Sequence, residues 1–136
     1  MINFIVITHG EFGAYMIEAA EQIVGRQEEG VRSVGISARL PVEEARRRLK
    51  DAVTELSNAD GLVLVVDMPG GTPCNIALPL VKDLPKARVR SGVNLYMLVT
   101  AFNGRKTASL AALVGEMIAG GKRSAADIKA LFLERV

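Results

Sequence analysis

The sequence has few of the residues that mark several common classes of protein. It has one cysteine, Cys74, so no disulfide forms within the chain, and the count excludes Cys₄ and Cys₂His₂ metal sites. It has no tryptophan and only 4% aromatic residues, so its core must be aliphatic. The net charge of +2 is too small to indicate a nucleic-acid-binding surface. No apolar run approaches the roughly 20 residues of a membrane span.

The N-terminal stretch also has no features of an export signal. It lacks a basic leader and a cleavage site, which predicts a cytoplasmic protein without membrane insertion. The densest basic run, 46–48, lies on a helix patterned for a core, so we interpret it as a solvated face. A length of 136 residues predicts one domain spanning 1–136.

Hydrophobic patterning predicts strands that alternate with helices. Strands are predicted at 2–7, 31–37, 61–67 and 87–91, and helices at 12–25, 41–56, 73–81, 107–119 and in a short tail after Ser124. The apolar run 95–102 fits a strand or a buried helix. Gly120 and Gly121 are expected to end the helix predicted at 107–119. This order predicts an α/β fold: a doubly wound, mainly parallel four-stranded sheet with helices on both faces.

Two of the predicted strands end in residues with acid–base chemistry. His9, the only histidine, follows the first strand, and Asp67 ends the third. The carboxyl ends of parallel strands are where open α/β sheets build their sites, so we expect the imidazole and the carboxylate to meet there. A histidine oriented by a carboxylate is suited to nucleophilic or proton-transfer chemistry.

A glycine turn follows Asp67. Gly70-Gly71 precede Thr72, the predicted N-cap, and Pro73, the predicted first helical residue. Backbone N–H groups at such a helix N-terminus favour an anion, so this turn predicts a phosphate-binding site. Cys74 lies beside it, but without a second histidine to act as a base we interpret it as a packing residue.

Three stretches together resemble the enzyme IIA domain of the mannose family of the bacterial phosphotransferase system. They are ITHGEFG, VVDMPGGTPCN and SGVNLYML. The second is similar to the family's Asp-x-x-Gly-Gly-Ser/Thr-Pro-x-Asn and the third to its Gly-Val-Asn-Leu-Pro-Met-Leu. They occur in the family's order and spacing, and the resemblance covers nearly the whole chain.

The resemblance implies a phosphotransferase with a phosphohistidine intermediate. His9 would accept a phosphoryl group from the carrier HPr and pass it to an enzyme IIB on a separate chain, for sugar uptake. Asp67 would hold the imidazole ring, and the turn from Gly70 to Thr72 would lie beside the phosphate. No metal or nucleotide is required. Three polar residues near the motifs are secondary site candidates: Thr8, Asn75 and Asn94.

The resemblance further implies a homodimer in which the C-terminal segment adds an antiparallel edge strand to the partner's sheet, and a helix at 95–102. The sequence departs from the family pattern at two positions. Pro69 replaces an aromatic or large apolar residue, and Tyr96 replaces a proline. The predicted helical tail after Ser124 also conflicts with an edge strand there.

Three other functions fit parts of the pattern. One is a regulatory phosphoprotein of the same fold, without a transport role. Another is the phosphotransfer subunit of a dihydroxyacetone kinase, which the GGTP turn and SGVNLYML disfavour. The third is a histidine phosphatase, which resembles this chain in its histidine after a first strand. Such enzymes carry Arg-His-Gly, whereas this chain has Thr8 before the histidine and no second histidine.

Overall fold

The computed structural model describes residues 1–134, which form four strands and six helices; the last three helices follow one another. The elements are β1 (Asn3–His9), α1 (Phe12–Val24), β2 (Val31–Ile36), α2 (Val42–Leu56), β3 (Leu62–Val66), α3 (Thr72–Val81), β4 (Ala87–Arg90), α4 (Leu95–Gly104), α5 (Leu110–Ser124) and α6 (Ile128–Phe132). The ambiguous run after Asn94 is therefore helical, as the resemblance implies. Within these residues no helix is long and apolar enough to cross a bilayer.

The four strands form one parallel sheet in the order β2-β1-β3-β4. His9 pairs with Ile36 on one side of β1, and Ile7 pairs with Val66 on the other. The chain leaves β1 towards β2 and then crosses back to β3. The carboxyl ends of β1 and β3 are therefore the topological switch point at which this class of fold binds ligands.

Helices cover both faces of the sheet, which confirms the predicted fold class. Along β1 the side chains alternate, so that Ile5 and Ile7 pack with α2 and α3, whereas Phe4 and Val6 pack with α4 and α5. All five residues of β3 are buried. A continuous apolar run is therefore required in a strand that is covered on both sides.

The prediction that Gly120-Gly121 end a helix is wrong. Helix α5 begins after the N-cap Ser109, not at Thr107, and continues through both glycines to Ser124. Close packing against α4 explains this. A Cβ atom on Gly120 would lie 2.6 Å from Cε1 of Tyr96, and one on Gly121 would lie 2.6 Å from Cγ of Met97. The glycines are needed for this close approach of two helices.

The C-terminal segment is helical, not extended. Ser124 is the last residue of α5, and the short helix that follows has Asp127 as its N-cap, whose carboxylate accepts from the N–H of Ala130 at 3.0 Å. Up to residue 134 there is no antiparallel edge strand of the kind that the resemblance implies. Positions 135–136 of that expected segment, and of the predicted domain 1–136, lie outside the described residues.

One buried charge joins elements at the amino ends of the strands. The guanidinium of Arg105 is 2% exposed and lies 5.7 Å from the centre of the Phe4 ring. It donates hydrogen bonds to the backbone carbonyls of Ile2, Glu29 and Gly30 and to the side chains of Asn3 and Gln27. These bonds fix the α1–β2 connection at the amino ends of the strands, the end of the sheet opposite His9.

Candidate active site

The structure brings His9 and Asp67 into direct contact. His9 is the last residue of β1, and Asp67 follows β3, the adjacent strand. Oδ2 of Asp67 lies 2.8 Å from Nδ1 of the His9 ring and accepts from the His9 backbone N–H at 2.8 Å. Oδ1 accepts from the N–H of Met68 at 2.9 Å. With Nδ1 donating to a carboxylate, Nε2 carries the free lone pair.

The side chains of Asp67 and His9 differ in charge and in exposure to solvent. Burial raises the pKa of the Asp67 carboxyl, but the backbone N–H of His9, the His9 ring and the N–H of Met68 together hold that pKa below its usual value. Asp67 is therefore an anion at neutral pH. Its side chain is 12% exposed, whereas the imidazole of His9 is 48% exposed. A carboxylate that is largely shielded from solvent thus holds a ring whose far side is accessible.

The glycine turn lies against the accessible side of that ring. A Cβ atom on Gly71 would lie 3.0 Å from Cε1 and 3.4 Å from Nε2 of His9. Gly70 has a φ of +79°, a left-handed conformation that favours glycine, and nothing crowds its missing Cβ. Gly70 therefore makes the turn, and Gly71 brings the backbone next to Nε2.

The helix after this turn begins one residue earlier than the sequence predicts. Gly71 is extended, with φ −82° and ψ 176°, and its carbonyl accepts from the N–H of Asn75 at 2.9 Å. Gly71 is therefore the N-cap. Thr72 is the first helical residue and Pro73 the second, so the prediction that Thr72 caps the helix is wrong.

The first turn of α3 offers backbone donors beside the imidazole. The first N–H groups of any helix have no intrahelical acceptor, and here they belong to Thr72 and Cys74, since Pro73 has none. Together with the positive end of the helix dipole they favour an anion near Nε2 of His9. Cys74 itself is half-buried and packs against the core on the α2–α3 face.

Comparison with known proteins identifies the family. The family model described as PTS system fructose IIA component matches residues 3–118. The chain belongs to this family.

Relatives of this enzyme IIA chain occur among curated proteins. It is 30% identical over 98% of its length to a PTS system mannose-specific EIIAB component of Escherichia coli (strain K12), of which it covers 42%. It therefore spans less than half of that relative. It is 24% identical over 91% of its length to a PTS system fructose-specific EIIA component of Bacillus subtilis (strain 168), of which it covers 84%.

Solved structures share the enzyme IIA fold. Phosphotransferase system component EIIA from Streptococcus agalactiae superimposes with a TM-score of 0.84 at 27% identity, covering 96% of this chain and 99% of that one. A PTS IIA protein associated with the fucose utilization operon of Streptococcus pneumoniae superimposes with a TM-score of 0.87, covering 96% of this chain and 95% of that one. At 23% identity this second likeness shows the fold alone.

Thr8, a secondary candidate, is turned away from the site of this enzyme IIA chain. It is 1% exposed and faces the opposite side of the sheet from His9, since side chains alternate along a strand. Its hydroxyl donates to the carbonyl of Gly10 at 3.0 Å and accepts from the N–H of Gly13 at 3.2 Å. Thr8 thus holds the turn between the histidine and α1.

The two asparagines also make local backbone contacts. Asn94 caps α4, because its Oδ1 accepts from the N–H of Met97 at 3.0 Å. Nδ2 of Asn75 donates to the carbonyl of Gly70 at 3.5 Å, which supports the glycine turn beside His9. The structure therefore brings Asn75 to the edge of the site and assigns Asn94 to a helix end.

Two exposed apolar side chains close in sequence to the strand ends were not predicted. Met68 is 54% exposed, and its Cγ lies 3.6 Å from the Cβ position of Gly71. Phe12 belongs to an apolar helical repeat that suggests a core face, yet it is 44% exposed. Their positions within three residues of a strand end were the available signal. Tyr96 packs its ring on Gly120 and is half exposed.

Proposed function

We propose that this chain is a phosphoryl carrier of the phosphoenolpyruvate-dependent phosphotransferase system. His9 accepts the phosphoryl group from phospho-HPr and passes it to an enzyme IIB, for sugar uptake. The contact between Nδ1 of His9 and the Asp67 carboxylate carries the proposal, because it leaves Nε2 as an accessible nucleophile. The family assignment supports the same function.

The nucleophile of the proposed transfer is the imidazole of His9. The lone pair on Nε2 of His9 attacks phosphorus in line, while the bond between phosphorus and the donor's leaving atom breaks. The proton on Nδ1 stays in the hydrogen bond to Asp67, whose negative charge stabilises the ring as it becomes positive. In this proposal the N–H groups of Thr72 and Cys74 and the Thr72 hydroxyl share the charge of the phosphoryl oxygens.

A phosphorylation assay tests this role. The chain is incubated with phosphoenolpyruvate, enzyme I and HPr, and we expect a phosphate that is labile in acid and stable in base. The variant His9→Ala should take up no phosphate and keep its circular dichroism spectrum, because a half-exposed strand-end side chain contributes little to the core. Phosphate on the variant would contradict the assignment.

The identity of the phosphoryl acceptor distinguishes a transport role from the regulatory and dihydroxyacetone kinase alternatives. Transfer from phosphorylated His9 to an enzyme IIB would support the transport role. A chain that is phosphorylated by HPr but passes phosphate to no enzyme IIB would be a regulatory phosphoprotein, and one that phosphorylates a dihydroxyacetone kinase partner would be a subunit of that enzyme. No contact in the structure favours either alternative.

We further propose that the chain forms a homodimer in the cytoplasm. Strand β4 is an edge of the sheet, and a groove of about 570 Å³ lies between it and α5. The C-terminal end of the chain carries exposed apolar side chains, among them Ile128 and Leu133. An interface that covers an edge strand and such side chains would stabilise a dimer.

Light scattering should give about twice the chain mass of 14.6 kDa; the monomer mass at micromolar concentration would contradict the dimer.

A further inference from the structure

The hydroxyl of Thr8 is buried directly before the histidine. Among residues 1–134 only two polar or charged side chains are buried, those of Thr8 and Arg105. Burying a hydroxyl is unfavourable unless it is hydrogen-bonded, and valine, of similar volume, would avoid that cost. The presence of threonine at this position is therefore explained by what its hydroxyl binds.

Both hydrogen bonds of that hydroxyl go to the backbone that follows His9. It donates to the carbonyl of Gly10 at 3.0 Å and accepts from the N–H of Gly13 at 3.2 Å. The N–H of Gly13 belongs to the first turn of α1, where a helix supplies no acceptor of its own, and the N-cap residue Glu11 makes no side-chain capping bond. Thr8 therefore caps α1 from the preceding strand and holds the turn at Gly10 at the same time.

Two glycines leave room for this arrangement. A Cβ atom on Gly13 would lie 3.0 Å from both Oγ1 and Cγ2 of Thr8, and one on Gly35 of β2 would lie 2.6 Å from the carbonyl oxygen of Gly10. Gly10 itself has a φ of +64°, and its N–H donates to a carbonyl of β2 at 2.8 Å. Contacts from β1, β2 and α1 thus fix the backbone that follows His9.

We infer that Thr8 is a positioning residue for the nucleophile His9. The carboxylate of Asp67 holds the backbone N–H and the ring of His9, whereas Thr8 holds the turn on the other side of that residue. With both sides held, the direction in which the imidazole leaves the backbone is defined. Thr8 lies on the opposite face of the sheet, so it acts through the backbone and touches neither the ring nor the phosphoryl group. The inference rests on the proposed function, since it concerns how the nucleophile of that transfer is held.

A pair of substitutions at Thr8 separates the hydroxyl from the volume of the side chain. Thr8→Val leaves the carbonyl of Gly10 and the N–H of Gly13 without this partner. We expect kcat with phospho-HPr to fall about tenfold and KM to stay within about twofold, because the ring is less well aligned for attack and the outer surface is unchanged. Thr8→Ser restores the hydroxyl and should recover most of the rate.

A small donor shows that the loss arises at the nucleophile. In phosphoramidate the phosphorus–nitrogen bond breaks, ammonia leaves with the electron pair, and phosphorus bonds to Nε2 of His9. This donor needs no protein interface, so Thr8→Val should lose about the same tenfold in rate with it.

A core substitution controls for lost stability. Val63 is buried in β3 and packs in the cluster that contains Val6. Val63→Ala should lower the midpoint of urea unfolding, as Thr8→Val should, but leave kcat unchanged. An equal fall in kcat in Val63→Ala and Thr8→Val would show an effect of stability and overturn the positioning role.

The ¹⁵N spectrum of the imidazole tests the inference without any transfer, and His9, as the only histidine, gives a unique signal. Thr8→Val should change the tautomer population of the ring and speed the exchange of its Nδ1 proton with water, whereas Thr8→Ser and Val63→Ala should keep the spectrum of the unaltered chain. An unchanged spectrum in Thr8→Val, an unchanged kcat, or a Thr8→Ser variant as slow as Thr8→Val overturns the inference. If the unaltered chain takes phosphate from neither donor, the proposed function fails, and the ring spectra still decide whether Thr8 positions the imidazole.

Discussion

The carboxylate of Asp67 accepts two hydrogen bonds from one residue, His9: one from its ring and one from its backbone N–H, both at 2.8 Å. The backbone bond fixes the end of β1 against the end of β3. The ring bond then fixes the direction of the imidazole relative to that backbone. The geometry of the nucleophile is therefore set by a single carboxylate.

Replacing that anion with an amide tests its role. Asp67→Asn should slow phosphoryl transfer from phospho-HPr by about 10–10³-fold. The same change of aspartate to asparagine in the serine-protease triad costs roughly 10⁴-fold. We expect a smaller loss here because a water molecule can replace part of the contact. The ¹⁵N chemical shifts of the ring should show a changed tautomer population, while circular dichroism shows a folded chain. An unchanged rate with unchanged shifts would mean that Asp67 only ends a strand.

The two glycines of the turn should respond differently to alanine. Gly71→Ala places a methyl group 3.0 Å from Cε1 of His9, so the ring must move slightly relative to Asp67, and we expect phosphoryl transfer to slow about tenfold. Gly70→Ala meets open space but strains a left-handed backbone, so it should cost about 1–2 kcal/mol of stability. Transfer kinetics and urea unfolding of both variants measure this contrast. Equal transfer rates in the two would contradict it.

Stability should depend on the ionisation of Asp67 at acid pH. Its pKa is lower in the folded chain than the unfolded value of about 3.9, so the linked stabilisation is present above that value and is lost as pH falls through the folded pKa. The difference in free energy of unfolding between the unaltered chain and Asp67→Asn should therefore shrink between about pH 5 and pH 2. Urea unfolding across that range measures it. A difference that does not vary with pH would contradict the prediction.

The buried Arg105, at the end of the sheet opposite His9, should affect the stability of the fold and not the transfer step. Arg105→Met removes the donor for three backbone carbonyls and two side-chain oxygens, which should cost about 3–5 kcal/mol of unfolding free energy. Arg26→Met, at an exposed position in the α1–β2 connection, should change it by about 0.5 kcal/mol or less. Denaturant titration compares the two, and similar values would show that the Arg105 network contributes little.

The strand ends could be predicted because their signals are local and strong. Runs such as Leu62–Val66 are apolar on both faces, which only a strand covered on both sides requires. Parallel pairing then brings the ends of β1 and β3 together, so that His9 and Asp67 meet as expected. The roles of these residues, and of the Gly70–Thr72 turn, stay predictions until transfer is measured.

The sequence by itself determined the α/β class, the strand that ends in His9 and the carboxylate beside it, because alternation and strand length depend on near neighbours in the chain. Only the tertiary structure decided the course of α5 through Gly120 and Gly121. A helical glycine costs about 1 kcal/mol, and close packing against Tyr96 and Met97 offsets that cost. Tertiary packing also decided that the backbone of Gly71 lies against the His9 ring, since this contact joins segments about sixty residues apart.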